Sequence, residues 1–233
     1  MKRKLVLPGD ELGDGRPGNG AYKEDGKIYA KAVGVKEEKD DLIFVIPLSG
    51  VYDPKGGDGV IGRVSGITFS KWIIDINAPY EAVLPLSEAT EEFVDLTKTD
   101  LTQYFSFGDL VFGKITNVTK SKSVQLSMKD RRCRKLRGGR IINVTPAKVP
   151  RIIGRKGSMV EMIKDKTKTQ IVVGQNGVVW VKGRNRALAV EAIMEIEKRS
   201  QENGLTDSIA NMLDEALKNS DTEKEGDNDE TDN

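Results

Sequence analysis

Histidine is absent from this chain of 233 residues. Because histidine is the commonest general base and a frequent ligand of transition metals, its absence makes catalysis and metal binding less expected. Cysteine occurs once, at Cys133, so neither a disulfide within the chain nor a zinc site built from cysteines can form. Enzymes can also work with carboxylates or lysines alone, but these absences favour a protein with no catalytic residue, no metal site and no cofactor.

Long apolar runs and aromatic residues are also scarce. No stretch reaches the roughly eighteen apolar residues that a membrane-spanning helix needs, so no membrane partner is predicted. The basic N-terminus, MKRKLVLPGDEL, contains an apolar run too short for the core of a signal peptide, and we expect a cytoplasmic protein. With 2 Trp, 6 Phe and 5 Tyr, its cores are expected to be mostly aliphatic.

Positive charge is concentrated in one part of the chain. Residues 114–200 hold 22 Lys and Arg against 6 Asp and Glu, an excess of about 16 charges, whereas the rest holds 15 basic and 30 acidic residues. A run of charged residues ordinarily forms a solvent-exposed surface that has no partner. An excess this one-sided favours a polyanion such as a nucleic acid as the partner.

Residues 1–58 predict a small N-terminal β domain. The β-prone runs KIYAKAVGV and LIFVIPLSGVY are separated by the charged segment KEEKDD, and turn-rich segments precede and follow them. Its Asp and Gly residues stand where turns need them, so we expect an adaptor rather than a catalytic module.

Residues 59–131 have the pattern of a five-stranded OB-fold barrel. GVIGRVSGIT, KWIIDI and EAVLP read as three strands, and FGDLVFGKITNV and SVQLSMK as two more, with a helical turn expected between Ser87 and Tyr104. Such barrels bind oligonucleotides through one open face and the loops after the first and fourth strands. The candidate RNA-binding residues here are Arg63, Phe69, Lys71, Trp72, Lys120 and Lys122.

The sequence indicates a base-stacking role more clearly for one aromatic candidate of the barrel than for the other. Phe69 lies in the predicted first loop, where an aromatic side chain can stack on a base of any identity. Trp72 alternates with Ile74 and Ile76, so a core position and a stacking position are equally compatible with the sequence.

Residues 132–139 are predicted to be a basic linker. The surrounding segment KDRRCRKLRGGR holds seven basic residues and one acid. Nearly unopposed positive charge between two candidate binding modules favours phosphate contact over a merely solvated linker. Its candidate RNA-binding residues are Arg131, Arg132, Arg134, Lys135 and Arg137.

Residues 140–200 predict the order strand, helix, GxxG, helix, strand, strand, helix, which is the order of a KH domain, an α/β sandwich. In Gly154-Arg155-Lys156-Gly157 the glycines let the backbone approach a phosphate, and the following helix presents free N–H groups. Arg155 and Lys156 add charge. We predict that this loop grips the backbone of single-stranded RNA.

Residues 201–233 are predicted to be one amphipathic helix followed by an acidic, disordered tail. Ile209, Met212, Leu213, Ala216 and Leu217 recur at helical spacing and are expected to pack on this chain or on a partner subunit. The last stretch, DTEKEGDNDETDN, is acidic and disordered by composition. The whole chain is therefore expected to be a multidomain protein, mainly β with α+β.

These motifs together resemble a known family. GDGVIGRVSGI, LPLSEA, FGDLVFGKITNV and VQLSMKD resemble the S1-type RNA-binding barrel, and the GRKG segment resembles a KH domain. Behind an N-terminal LVLPGDEL, this pairing is similar to the RNA-binding cap subunit of the archaeal exosome, the ribosomal-RNA-processing protein four family. GQNGVVW, residues 174–180, resembles the Gly-x-Asn-Gly signature of the KH domain in that family.

The resemblance implies a non-catalytic role. It implies that three cap subunits, copies of this chain or related ones, sit on a hexameric ring of RNase PH-like subunits, with the N-terminal domain docked on the ring. It further implies that single-stranded RNA, poly(A)-rich RNA above all, is delivered to the ring for phosphorolytic degradation from its 3′ end.

Two other functions remain open at this point. The same barrel and KH pairing occurs in RNA-binding regulators of transcription or translation, which have no nuclease ring. A nuclease would instead need carboxylates that converge on Mg²⁺. Asp58, Asp75 and Asp109 are the acids available for that, and the sequence places them in turns or on single strands.

Overall fold

The structure is a computed structural model that describes residues 4–90, 100–200, 202 and 204–226. The described residues form two compact units. The first lies within residues 1–51 and 145–148, and the second within residues 52–144 and from 149 onwards.

The first unit is built from short strands. In chain order they are β1 (Lys4–Val6), β2 (Glu11–Gly13), β3 (Arg16–Pro17), β4 (Ala21–Glu24), β5 (Lys27–Ala30), β6 (Gly34–Lys39) and β7 (Leu42–Pro47). They form one sheet of order β1-β6-β7-β3 and another of order β2-β5-β4. Asp40 and Asp41, both at positive φ (50° and 65°), make the tight β6–β7 turn that matches the strand twist. The predicted small β domain is confirmed.

The second unit begins with the barrel. Its strands are β8 (Gly59–Ile67), β9 (Lys71–Asp75), β10 (Ala82–Pro85), β11 (Leu110–Val118) and β12 (Val124–Ser127), and pairing of β12 with both β10 and β11 closes the sheet. The alternation predicted from the sequence holds: Val60, Val64, Ile74 and Ile76 point into the core and are buried. The five-stranded OB-fold is confirmed.

The connection between β10 and β11 contains the helical structure expected there. It starts as α1 (Leu86–Ala89) and ends in a 3₁₀ turn at Leu101–Gln103, in which the carboxylate of Asp100 accepts from Thr102 N at 2.9 Å. Residues 91–99 of this predicted segment lie outside the described residues.

The segment predicted to be a linker contains a strand. β13 (Arg134–Leu136) pairs antiparallel with β11 and extends the barrel sheet. Leu136 is buried in this arrangement, because it packs with Ile61 and Phe112 on the outer face of the barrel. Burial of this apolar residue and the pairing with β11 together order the segment.

The predicted KH domain is confirmed and follows β13 directly. It consists of β14 (Arg140–Asn143), α2 (Val149–Ile153), α3 (Ser158–Thr167), β15 (Gln170–Val173), β16 (Val178–Lys182) and α4 (Arg186–Lys198), with sheet order β14-β16-β15. Both faces of β16 are covered. Val179 and Val181 pack under the helices, whereas Val178 and Trp180 pack against the barrel.

One buried side chain joins the KH domain to the barrel. Asn176, in the β15–β16 turn, is fully buried; its Oδ1 accepts from Ile61 N at 3.2 Å, and its Nδ2 donates to the carbonyls of Ile61 and Ile76, both at 2.7 Å. Gly174 allows this approach, since a Cβ there would lie 2.2 Å from Asn176 Oδ1. The Asn of the Gly-x-Asn-Gly segment is therefore structural.

The C-terminal helix packs on its own chain. α5 (Leu205–Gly226) buries Leu205, Ile209 and Leu213 in the KH core, and Lys166 on α3 pairs with Asp214. The helix also includes residues 221–226, the start of the stretch predicted to be disordered, so that prediction is wrong there. Residues 227–233 lie outside the described residues. No described helix combines the length and apolarity that crossing a membrane requires.

Candidate RNA-binding surface

The GRKG loop requires its first glycine for steric reasons. Gly154 has φ 77° and ψ 174°, and a Cβ at this position would lie 2.6 Å from Met159 Cβ and 2.7 Å from Met159 N. The backbone between α2 and α3 thus passes close to the first turn of α3, which a larger residue would prevent.

The remaining residues of the loop leave the start of α3 open to an anion. Lys156 and Gly157 have positive φ values of 55° and 85°, and Gly157 offers no side chain to cap the helix. The N–H groups of Gly157 and Ser158 donate within the loop, to Gly154 O and Arg155 O, but the positive end of the helix dipole favours a negative ligand there. Glu161, an acid in that first turn, opposes this attraction, whereas Arg155 and Lys156 are exposed and reinforce it.

The loop between β8 and β9 presents an aromatic side chain and a cation. Phe69 is 75% exposed, and Lys71 is exposed at the start of β9. The loop is tight, because both the backbone N–H and the hydroxyl of Thr68 donate to the carbonyl of Lys71 at 2.9 Å. Phe69 is therefore held out into solvent rather than folded onto the barrel.

Trp72, the other aromatic candidate, is not available for base stacking. It is fully buried in the barrel, where its Nε1 donates to Phe105 O at 2.9 Å and its ring meets the rings of Tyr104 and Phe105 edge-on. The prediction of an RNA contact at Trp72 is wrong, because the alternation with Ile74 and Ile76 places it on the interior face of β9.

The β11–β12 loop contains two lysines, one exposed to solvent and one paired with a carboxylate. Lys120 is exposed. Lys122 lies 3.0 Å from Asp53 and over the ring of Tyr80 at 5.7 Å, and the hydrogen bond to Asp53 raises the pKa of Lys122. A phosphate at Lys122 would have to compete with that carboxylate, so Lys120 is the better candidate in this loop.

The basic residues around β13 are also of two kinds: some pair with carboxylates and others are exposed to solvent. Arg132 bonds to Asp130 at 3.2 Å, and this hydrogen bonding lowers the pKa of Asp130 to about 2, while Lys135 pairs with Asp109. Arg131, Arg134 and Arg137 are exposed. Arg63, exposed on β8, makes a long contact of 3.4 Å to Gly108 O.

The acids considered for a nuclease have separate partners. Asp58 accepts from the hydroxyl of Tyr52, Asp75 from the backbone N–H of Asn77, and Asp109 pairs with Lys135. Within residues 4–90 and 100–200 and the described part of the C-terminal segment, no three acidic or cysteine side chains come together as a metal site.

Three family models match successive parts of the chain. The model described as the exosome RNA-binding protein RRP4 N-terminal domain matches residues 3–49, the model described as the RRP4 S1 domain matches residues 51–100, and a KH-domain model matches residues 139–187. A solved structure described as an exosome complex RNA-binding protein is 31% identical, with a TM-score of 0.66, and the match covers 72% of this chain and 98% of that one.

Whole relatives are similar to this chain over most of its length. "Exosome complex component Rrp4" of Pyrococcus horikoshii is 44% identical over 220 residues, which are 91% of this chain and 83% of the relative. The protein of the same name from Methanothermus fervidus is 42% identical over 216 residues, 91% of this chain and 96% of the relative. This chain therefore belongs to the Rrp4 family of exosome complex components.

Proposed function

We propose that this chain is a non-catalytic, RNA-binding cap component of an exosome, which holds single-stranded RNA and delivers its 3′ end to a phosphorolytic ring. The observation that carries the proposal is the pairing, in one compact unit, of an uncapped GRKG loop with a barrel that exposes Phe69 and Lys71. Relatives named as exosome components support the assignment to the complex.

The proposed RNA surface has two kinds of contact. The KH loop, residues 154–157, supplies two cations for phosphates next to the positive end of the α3 dipole. The barrel supplies Phe69 for a base and Lys71, Lys120 and the exposed arginines near β13 for phosphates. Because stacking on an aromatic ring reads no base edge, the binding is expected to be only weakly sequence-specific. A preference for poly(A)-rich RNA is proposed from the resemblance to the exosome cap family.

The proposed partners are those that the resemblance to the exosome cap family implies. We propose that residues 1–58 dock on a hexameric ring of RNase PH-like subunits and that copies of this chain, or related cap subunits, form a trimer on it. The positive middle of the chain would then face the RNA, while the ring carries the chemistry.

The test is the decay of a labelled A-rich RNA in phosphate buffer, with the chain alone, the ring alone, and both together. We expect no decay with the chain alone and faster decay with both than with the ring alone. Decay by the chain alone, lost on changing Asp58, Asp75 or Asp109, would indicate a nuclease. No acceleration, together with co-purification with RNA polymerase or ribosomes, would favour the regulator.

Replacing Phe69 with alanine is expected to weaken binding of a labelled oligo(A) by roughly 5- to 100-fold, because one base stack is lost. Fluorescence anisotropy at fixed salt measures this. Val51→Ala, which removes another highly exposed apolar side chain (78%), is the matched control and should leave affinity unchanged. Equal RNA affinities of the two variants would show that Phe69 does not contribute to RNA binding.

A further inference from the structure

A second exposed aromatic side chain of the barrel has no role in the surface described so far. Phe107 is 76% exposed, as much as Phe69. It lies in the turn Ser106–Asp109, in which Asp109 N donates to Ser106 O at 3.1 Å and Gly108 has φ 85°. These features are those of a type II turn with Phe107 at its first central position, where the side chain points outward.

The turn is fixed on both sides. The carboxylate of Asp109 accepts from Ser106 N at 2.7 Å, and the hydroxyl of Ser106 donates to Thr102 O at 2.9 Å. The backbone of Val64 on β8 exchanges two bonds of 2.9 Å with the turn, one to Asp109 and one from Gly108. Phe107 is thus held in place before any ligand binds, which reduces the entropy lost on binding.

The surroundings of Phe107 are cationic. Arg63 contacts Gly108 O, and Lys135 pairs with Asp109. Burial acts to raise the pKa of Asp109, but hydrogen bonds from Lys135 and Ser106 N and the charges of Lys135 and Arg137 outweigh it and hold the pKa below its usual value. Lys135 and Arg137 act on the Asp109 carboxylate and Arg63 contacts the backbone of the turn, so cations outnumber the acid of the turn beside the exposed ring.

The turn also lies beside the β8–β9 loop. Trp72, the residue after Lys71, donates to Phe105 O and packs against the Phe105 ring at 5.2 Å between centroids. Phe105 is two residues from Phe107. The exposed rings of Phe69 and Phe107 are therefore at the same end of the barrel.

We infer that Phe107 is a base-stacking platform for single-stranded RNA, with Arg63 and Arg137 contacting the adjacent phosphates. A flat ring surrounded by cations fits a nucleotide, because a nucleotide offers a flat base and an anionic phosphate. An apolar protein surface docked at the same place would contact mostly charged side chains. The inference rests on the proposed RNA-binding function and extends it to a turn outside the two loops that open the barrel.

The experiment compares the full chain with Phe107→Ala, Phe107→Leu and Phe107→Trp for binding of a labelled oligo(A). We expect the alanine and leucine variants to bind roughly 5- to 100-fold more weakly and the tryptophan variant to retain the affinity, because only an aromatic face can stack. Thermal unfolding should be unchanged, since the side chain is exposed. If Phe107→Leu binds the RNA as tightly as the unaltered chain does, the inference is wrong.

Phe107→Trp also provides a direct optical readout. Both native tryptophans, Trp72 and Trp180, are buried, so an exposed tryptophan at 107 is distinguishable by its accessibility to acrylamide. We expect RNA to quench its emission and to protect it from acrylamide. Unchanged emission at saturating RNA would overturn the inference.

The outcomes separate this inference from the proposed function. If the unaltered chain binds RNA and Phe107→Ala binds it equally well, the inference is wrong and the proposed function stands. If the unaltered chain does not bind RNA, both are wrong. If Phe107→Ala binds RNA normally but no longer sediments with the ring, Phe107 contacts protein, and the inference is wrong.

Discussion

Asn176→Ala is expected to lower the free energy of unfolding of this chain by about 2–5 kcal/mol, because it leaves buried backbone groups without partners. The side chain bonds to both the N–H and the carbonyl of Ile61 and to the carbonyl of Ile76, and it is fully buried. Urea unfolding measures the change as a lower midpoint at an unchanged slope.

Two variants test the origin of that loss. Gln175→Ala alters the same turn but keeps its backbone bond to Gly59 O at 2.8 Å, and it should cost well under 1 kcal/mol, as for a half-buried surface substitution. Asn176→Asp keeps the shape but places a carboxylate against two carbonyl oxygens, and we expect it to destabilise at least as much as alanine at neutral pH. Equal midpoints for Gln175→Ala and Asn176→Ala would show that the hydrogen bonds contribute nothing measurable.

The double change Arg155→Glu and Lys156→Glu is expected to weaken RNA binding by about tenfold or more and to flatten its salt dependence. Each phosphate contact with a single strand contributes about 0.7 to the slope of log K against log salt, so losing two contacts should reduce the slope by about 1.4. Both side chains are exposed, so the fold should be unaffected. Anisotropy titrations at several salt concentrations measure both quantities.

The matched control is Lys23→Glu with Lys39→Glu, which makes the same change in net charge on exposed residues of the first unit. It should leave the slope close to that of the unaltered chain, because a general loss of charge removes no direct phosphate contact. An unchanged affinity and slope in the KH double variant would exclude the GRKG loop from RNA binding.

Patterns that depend on neighbours in the sequence predicted the fold well. The alternation of Trp72 with Ile74 and Ile76 marked the interior face of β9, and the order of elements in residues 140–200 predicted the helices over the KH sheet. The same alternation is the signal for burial of Trp72, since Ile74 and Ile76 lie on the same face of the strand. Solvent-facing loop residues such as Phe69 and Lys120 were also located correctly from turn signals.

Features that depend on distant parts of the chain could not be predicted. The bond of Lys122 to Asp53 joins positions that the sequence does not connect, and the order of β13 depends on where Leu136 meets Ile61 and Phe112. Phe107 was missed because FGDLVFGKITNV was interpreted as a strand throughout. Gly108 in the third position of SFGD was the available signal for the turn there.

The bonds of Asn176 have a consequence for how this chain folds. Its partners lie 115 and 100 residues earlier, so at about 5–20 residues per second the ribosome makes Ile61 roughly 6–23 s before it makes Asn176. Once Leu136 has been made, roughly 2–8 s before Asn176 at the same rate, Ile61, Phe112 and Leu136 form an apolar patch that the KH sheet has not yet covered. Contacts of such long sequence separation form late. Docking of the KH domain is thus expected to be the last folding step, and nascent chains that stall just after β13 are expected to be those that need a chaperone.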